Sequence, residues 1–233
     1  MIRTDQRPVV LLHGCGGSFA AAFESTGWLD ALRAAGRTPV KIHLPGHGVI
    51  PAPHDPAYYA DLAALVMKEL PPGPFDAVGF SLGAKILLEI ALRAPTNVGR
   101  MVLGGVGDNV FAREGVAEAA ALALERGPTA DTPPPVLAFL QTWEPERNDP
   151  LAVAAVLRRP PNPIFTPEQL EGIVQPLLVV NGTADPVARE ASRFYASLPR
   201  AKHVALGGVG HFDLTAQAAF IGETVDFLQR AAS

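Results

Sequence analysis

A serine between two glycines stands at Gly79-Phe80-Ser81-Leu82-Gly83, where an apolar run ends and a stretch of helical period begins. A tight turn from strand into helix holds its central residue in strained φ/ψ, and only residues without a side chain fit around it. The serine hydroxyl then projects from the turn, and the N–H of Leu82 faces any negative charge that develops beside it. A serine hydroxyl is a weak nucleophile until a base takes its proton. His211, in Gly210-His211-Phe212, can take that proton near neutral pH. Asp185, in Asn181-Gly182-Thr183-Ala184-Asp185-Pro186, can fix the tautomer of the imidazole and stabilise the imidazolium. Following a strand and opening a helix, Ser81 has the context of a nucleophile elbow, and the order serine, aspartate, histidine, with one strand–helix unit between the last two, fits a Ser-Asp-His triad. His13-Gly14-Cys15-Gly16-Gly17 follows the first apolar run, and its glycines let backbone approach a ligand closely. The expected oxyanion hole is the pair of backbone N–H groups of Cys15 and Leu82.

Single residues have competing readings. Ser81 alone also suits the N-cap of a buried helix. Asp108, in Gly104-Gly105-Val106-Gly107-Asp108, lies beyond another strand end and competes with Asp185 for the place of the acid. The lone cysteine, Cys15, excludes an internal disulfide and a cysteine-rich zinc site, and is expected to serve through its backbone. His13 is expected to order its own loop. His43, His47, His54 and His203 lack the carboxylate or cysteine pattern of a metal site, so surface or structural roles are expected for them. Neither a metal nor any other cofactor is expected.

Short β-branched or apolar runs alternate with helix-period stretches, the pattern of a mainly parallel sheet covered on both faces. Strands are expected at 9–12, 38–43, 75–79, 100–103, 177–180 and 203–206. Helices are expected at 18–34, 56–70, 82–93, 188–198 and 212–231. The chemistry-bearing motifs all follow strand ends, where open α/β sheets gather their ligands. Residues 108–175 break the rhythm, with no convincing strand and many prolines, and read as a helical lid with helices near 136–143 and 151–158. The expected organisation is a core of 1–107 and 176–233 with the lid inserted between. Phe139 and Trp143 of the lid would roof an apolar pocket over Ser81, with Phe80, Phe111, Phe212 and Cys15 as its lower wall.

With 233 residues, 48% of them hydrophobic, the chain can bury one good core, and a net charge of −4 provides no positive field for nucleic acid or an acidic membrane. The first residues, Met1 to Pro8, lack an apolar signal region, and no apolar stretch approaches membrane-helix length. A soluble cytoplasmic protein acting on a small molecule is expected, with its oligomeric state open.

These motifs carry a resemblance. His13-Gly14-Cys15-Gly16-Gly17, Leu44-Pro45-Gly46-His47-Gly48, Gly79-Phe80-Ser81-Leu82-Gly83, Gly182-Thr183-Ala184-Asp185 and Gly210-His211 occur in the order shown by the α/β-hydrolase fold superfamily. The chain resembles that superfamily over nearly its whole length, close to its small lid-bearing esterases and its lactone or C–C-bond hydrolases. It departs at His43-Leu44, where the family commonly has an acidic residue, and in lacking the usual leading β-hairpin. The resemblance implies a serine hydrolase acting through an acyl-enzyme. With the apolar pocket, the expectation is a small or medium ester, thioester or lactone with an apolar part. Carbon–carbon bond hydrolysis, acyl transfer and a low-turnover ligand sensor are the alternatives on the same fold.

Overall fold

Six short apolar runs become the strands β1 (Val9–Leu12), β2 (Pro39–Lys41), β3 (Phe75–Phe80), β4 (Val98–Gly104), β5 (Leu177–Gly182) and β6 (Lys202–Leu206). The computed structural model describes residues 7–48, 51–113, 115–160 and 164–229. All pairings are parallel, in the order β2-β1-β3-β4-β5-β6. Parallel neighbours need crossovers, which the helices α1 (Trp28–Ala34), α2 (Leu62–Met67), α3 (Leu82–Arg93), α8 (Ser192–Ala196) and α9 (Ala218–Gln229) supply or flank.

Alternation along β1 divides the core in two. Val10 and Leu12 pack with Leu62 and Val66 of α2 and Leu87 and Ile90 of α3. Val9 and Leu11 face the other way, toward Trp28 and Leu32 of α1 and Phe220 and Phe227 of α9. Because both faces are covered, the central strands are buried at every position, which explains their continuous apolar runs. Beneath the sheet, the buried Asp76 carboxylate accepts from Arg37 at 2.6 Å. The same guanidinium donates to the carbonyls of Arg7 and Leu228, tying β1 and α9 to β3 at the end opposite the chemistry.

Several expected helices are shorter or split, each for a local reason. The 18–34 stretch becomes a π-helical turn (Ala20–Glu24) and α1, because Gly27 intervenes at φ +89°. The 56–70 stretch restarts at Asp61, whose carboxylate accepts the Ala64 N–H and caps α2. The 188–198 helix contracts to α8, since the N–H groups of Val187 and Ala188 turn inward to Asp185. The final stretch becomes a short 3-10 turn (Leu214–Ala216) and α9, and its positions 230 and 231 lie outside the described residues.

Between β4 and β5 the described residues contain no strand but four helices: α4 (Ala117–Arg126), α5 (Pro134–Gln141), α6 (Pro150–Arg158) and α7 (Pro167–Glu171). Prolines open α5, α6 and α7, where a missing N–H costs nothing. Helix α4 escapes a periodicity reading because its buried face is alanine: Ala120, Ala121 and Ala123. Arg158 of α6 binds Glu118 and Glu125 of α4, pairing the two helices. Ala155 and Val156 of α6 belong to the main core, so this insertion is rooted in the sheet domain.

Candidate active site

Strand β3 runs into α3 through Ser81, at φ 52° and ψ −113°, the sole positive-φ non-glycine among the described residues. Its N–H donates to the Gly104 carbonyl of β4 at 2.8 Å, and its carbonyl accepts from Lys85 in α3, so both sides of the turn are held. The flanking glycines are sterically required. A Cβ on Gly79 would lie 2.7 Å from the Ala84 backbone, and one on Gly83 would strike the Leu12 carbonyl of β1. The Gly83 N–H instead donates to the His13 carbonyl at 3.1 Å, which stitches the elbow to the first glycine-rich turn.

The loops after β5 and β6 hydrogen-bond to each other before reaching Ser81. Thr183 N–H donates to Leu206, Ala184 N–H to Val209, and Gly208 N–H to the Thr183 hydroxyl. The following turn is anchored by the buried Trp28 indole, which donates to the Thr215 carbonyl at 2.7 Å. These contacts bring His211 between the other two residues. Its Nδ1 is 2.7 Å from Asp185 Oδ2 and its Nε2 is 3.1 Å from Ser81 Oγ. Phe80 and Phe212 flank the imidazole, with ring centroids 4.9 and 5.1 Å away.

Asp185 is fully buried, and its second oxygen accepts the N–H groups of Val187 and Ala188 at 2.7 and 2.9 Å. Burial alone pushes this carboxyl up. The hydrogen bond and charge of His211, with the two backbone donors, outweigh burial and bring it below its ordinary value. The carboxyl is therefore ionised at neutral pH. Asp108 is elsewhere, accepting the Phe194 N–H at 2.7 Å at the start of α8.

The glycine-rich turn is held by two further histidines. His13 Nε2 accepts the Leu44 N–H at 3.3 Å, while Nδ1 faces the Gly14 carbonyl at 2.8 Å. His47 Nε2 accepts the Gly16 N–H at 2.9 Å, while Nδ1 faces the Pro45 carbonyl at 3.1 Å. Each ring therefore carries its proton on Nδ1 and is neutral. Burial drives His13 down to about 3, helped by the neighbouring His47. Burial likewise drives His47 down to about 4, against the bond to Pro45. His13 orders its loop as its position suggested. His47, in the Pro-Gly-His-Gly turn, is a deeply buried partner of that loop.

A cleft of about 110 Å³ opens over Ser81, bounded by Cys15, Ser18, Phe80, His211, Phe212 and Thr142 among others. Of the expected pocket residues, Cys15, Phe80 and Phe212 line it. Phe111 does not, because Asp108 draws the intervening turn onto α8, where the Phe111 ring lies under the Arg193 guanidinium at 4.2 Å. Phe139 presses against Gly16 from behind, and Trp143 lies beside Phe139 at 6.4 Å. Helix α5 ends at Gln141, so the side chain reaching the cleft is Thr142, bonded back to the Phe139 carbonyl.

Sequence reasoning missed two polar residues of the insertion. Glu144 accepts the Ser18 hydroxyl at 2.6 Å, and Asn148 donates to the Gly16 carbonyl and accepts from Gly48. Neither belongs to a motif, and these partners lie a hundred residues or more away, so no local signal marks them. Among the described residues, no cluster of three His, Cys, Asp or Glu side chains is arranged to hold a metal, and no helix is long and apolar enough to cross a membrane.

The chain is similar to a curated protein, Esterase Rv0045c of Mycobacterium tuberculosis, 33% identical over 109 residues. That match covers 45% of this chain, and the chain spans about a third of the esterase, 35% of its length. The enol-lactonase of Burkholderia xenovorans superposes with a TM-score of 0.74 at 22% identity, covering 96% of this chain and 92% of the other. The meta-cleavage product hydrolase CumD of Pseudomonas fluorescens superposes at 0.69 with 20% identity, covering 95% and 90%. At such identities these superpositions speak for the fold. Residues 9–223 match the sequence pattern of the alpha/beta hydrolase family from the first strand into the last helix, and the chain belongs to that family.

Proposed function

We propose that the chain is a serine hydrolase that cleaves small carboxylic esters, thioesters or lactones with an apolar part, through an acyl-enzyme on Ser81. The observation that carries this reading is the continuous hydrogen-bonded chain from Asp185 through His211 to Ser81, ending on a strained serine at the start of a buried helix. In the proposed cycle Ser81 Oγ attacks the substrate carbonyl carbon while His211 Nε2 takes the hydroxyl proton. Asp185 holds the Nδ1–H tautomer and stabilises the imidazolium. Negative charge collects on the former carbonyl oxygen, opposite the N–H groups of Cys15 and Leu82. The intermediate collapses as His211 protonates the leaving alcohol or thiol. Water then enters and attacks the acyl carbon while His211 takes its proton, and His211 returns that proton to Ser81 Oγ as the acyl–Oγ bond breaks and the acid leaves.

The cleft sets the scale of the acyl part. At about 110 Å³ it is well below the roughly 300–1,000 Å³ of drug-sized ligand pockets, and its floor is the apolar pair Phe80 and Phe212. Helices α4 to α7 act as the lid in this reading, with Thr142 at the rim. The test is hydrolysis of p-nitrophenyl esters of increasing acyl length by the wild-type chain and Ser81→Ala. Acetate and butyrate should be preferred over octanoate, and Ser81→Ala should lose at least about 10⁴-fold in kcat. Full activity in Ser81→Ala would sink the mechanism, and a preference for octanoate would sink the size argument.

A further inference from the structure

We propose that Asn148, in the lid, is a positioning residue that locks the oxyanion loop from outside the sheet domain. This rests on the serine-hydrolase reading above. Asn148 immediately precedes Asp149, the N-cap of α6, and is 4% exposed. Its Nδ2 donates to the Gly16 carbonyl at 3.3 Å, and its Oδ1 accepts the Gly48 N–H at 3.0 Å. One amide therefore ties together three segments: the 13–17 turn, the Pro45–Gly48 turn and the lid. Asn148 also points a weaker contact at its own Glu144 carbonyl, at 3.5 Å, which leaves Gly16 and Gly48 as its main partners.

Gly16 is where such a lock has the most effect. It sits at φ +73°, next to the proposed donor Cys15, in a turn whose glycines allow a wide range of φ/ψ. Three contacts remove that freedom. His47 holds the N–H, Asn148 holds the carbonyl, and the Phe139 ring occupies the space a side chain would fill. His47 belongs to the sheet domain, whereas Asn148 and Phe139 belong to the lid. The peptide groups on the two sides of Gly16 are thus held by the sheet domain and the lid together, the second through Asn148. Oxyanion stabilisation depends on donors already aimed when charge develops, so loosening Gly16 should slow the chemical step more than it weakens substrate binding.

The separating experiment compares Asn148→Ala, the isosteric Asn148→Asp and His54→Ala in p-nitrophenyl acetate hydrolysis, with amide hydrogen exchange at Gly16 read by NMR. Asn148→Asp keeps the acceptor for Gly48 but loses the donor to Gly16. His54→Ala removes a lid tether to Asp149, at 2.7 Å, that does not touch the loop. Both Asn148 variants should lose about tenfold in kcat with KM within about twofold, and Gly16 N–H exchange should quicken about tenfold, while His54→Ala keeps wild-type values. A kcat within twofold of wild type in both Asn148 variants overturns the proposal, as does an equal loss in His54→Ala. Exchange at Gly16 does not depend on turnover. If Ser81→Ala proves fully active, the serine mechanism fails, while unchanged Gly16 protection in Asn148→Ala refutes the lock in either case.

Discussion

Three buried histidines sit at the C-terminal edge of the sheet, and they differ in what lies against Nδ1. At His211 it is the Asp185 carboxylate, at 2.7 Å. At His13 and His47 it is a backbone carbonyl, and Nε2 of each accepts a backbone N–H. A carbonyl fixes a tautomer but does not compensate a positive charge, so burial holds the latter two rings neutral. The carboxylate fixes the same tautomer and also offers a counter-charge, while Nε2 of His211 is left facing a hydroxyl rather than a committed amide. The same side chain is a rigid acceptor at His13 and His47, and at His211 it faces a hydroxyl with a counter-charge behind it; the difference is the single anion.

The largest effect should come from removing that anion. Asp185→Asn is expected to lower kcat by about 10⁴-fold, because an amide can present its NH₂ to Nδ1 and turn the imidazole into the wrong tautomer. Asp108→Asn, which alters a cap of α8, should stay within about twofold of wild type, read on the same p-nitrophenyl ester. Reversed magnitudes would transfer the acid's role to Asp108. A smaller effect is expected at the neutral pair. His47→Ala leaves the buried Gly16 N–H without its acceptor and should lower kcat by about tenfold, on the order of the 1–3 kcal/mol cost of an unmet buried donor.

The smallest effect is on folding. His13 and His47 titrate at about 3 and about 4 in the folded chain, against 6.5 for the ordinary imidazole. Below pH 6.5 the unfolded chain takes up protons that the folded chain refuses. Stability from these sites is therefore complete above that pH and is lost as pH falls toward about 4 and then about 3. Asp185, whose carboxyl is lowered from 3.8, adds its loss only at the acid end of this window. Urea midpoints should fall between pH 7 and pH 5, with a shallower fall in His47→Gln. Equal midpoints at both pH values in the wild-type chain would contradict the neutral-pair assignment.

Much of the sheet was legible because each buried strand is a short apolar run stopped by glycine or a polar residue, as in β1 before His13 or β3 before Ser81. The chain order of Ser81, Asp185 and His211 was legible because each follows a strand end, and parallel strands bring those ends together. Helix breaks such as Gly27 and Asp61 needed knowledge of φ and of carboxylate direction that periodicity does not carry. The pocket wall was harder still. Aromatic content suggested Phe111, Phe139 and Trp143, but which ring faces the cleft depends on where α5 ends and on Asp108 pulling its turn toward α8. Asn148 and Glu144 were invisible for a similar reason, since their meaning lies in distant partners, the backbone of Gly16 and Gly48 for the one and the Ser18 hydroxyl for the other.

The elbow geometry also carries a thermodynamic load. At φ 52°, Ser81 occupies backbone space that glycine would fill with less strain, and such positions cost on the order of 1–3 kcal/mol each. Against a typical net stability of about 5–15 kcal/mol, that is a noticeable share. The fold carries it because β3 and α3 on either side are buried and hydrogen-bonded into the sheet. The position is therefore one the backbone would release if a hydroxyl were not required there, and a glycine would exchange the proposed nucleophile for a firmer fold.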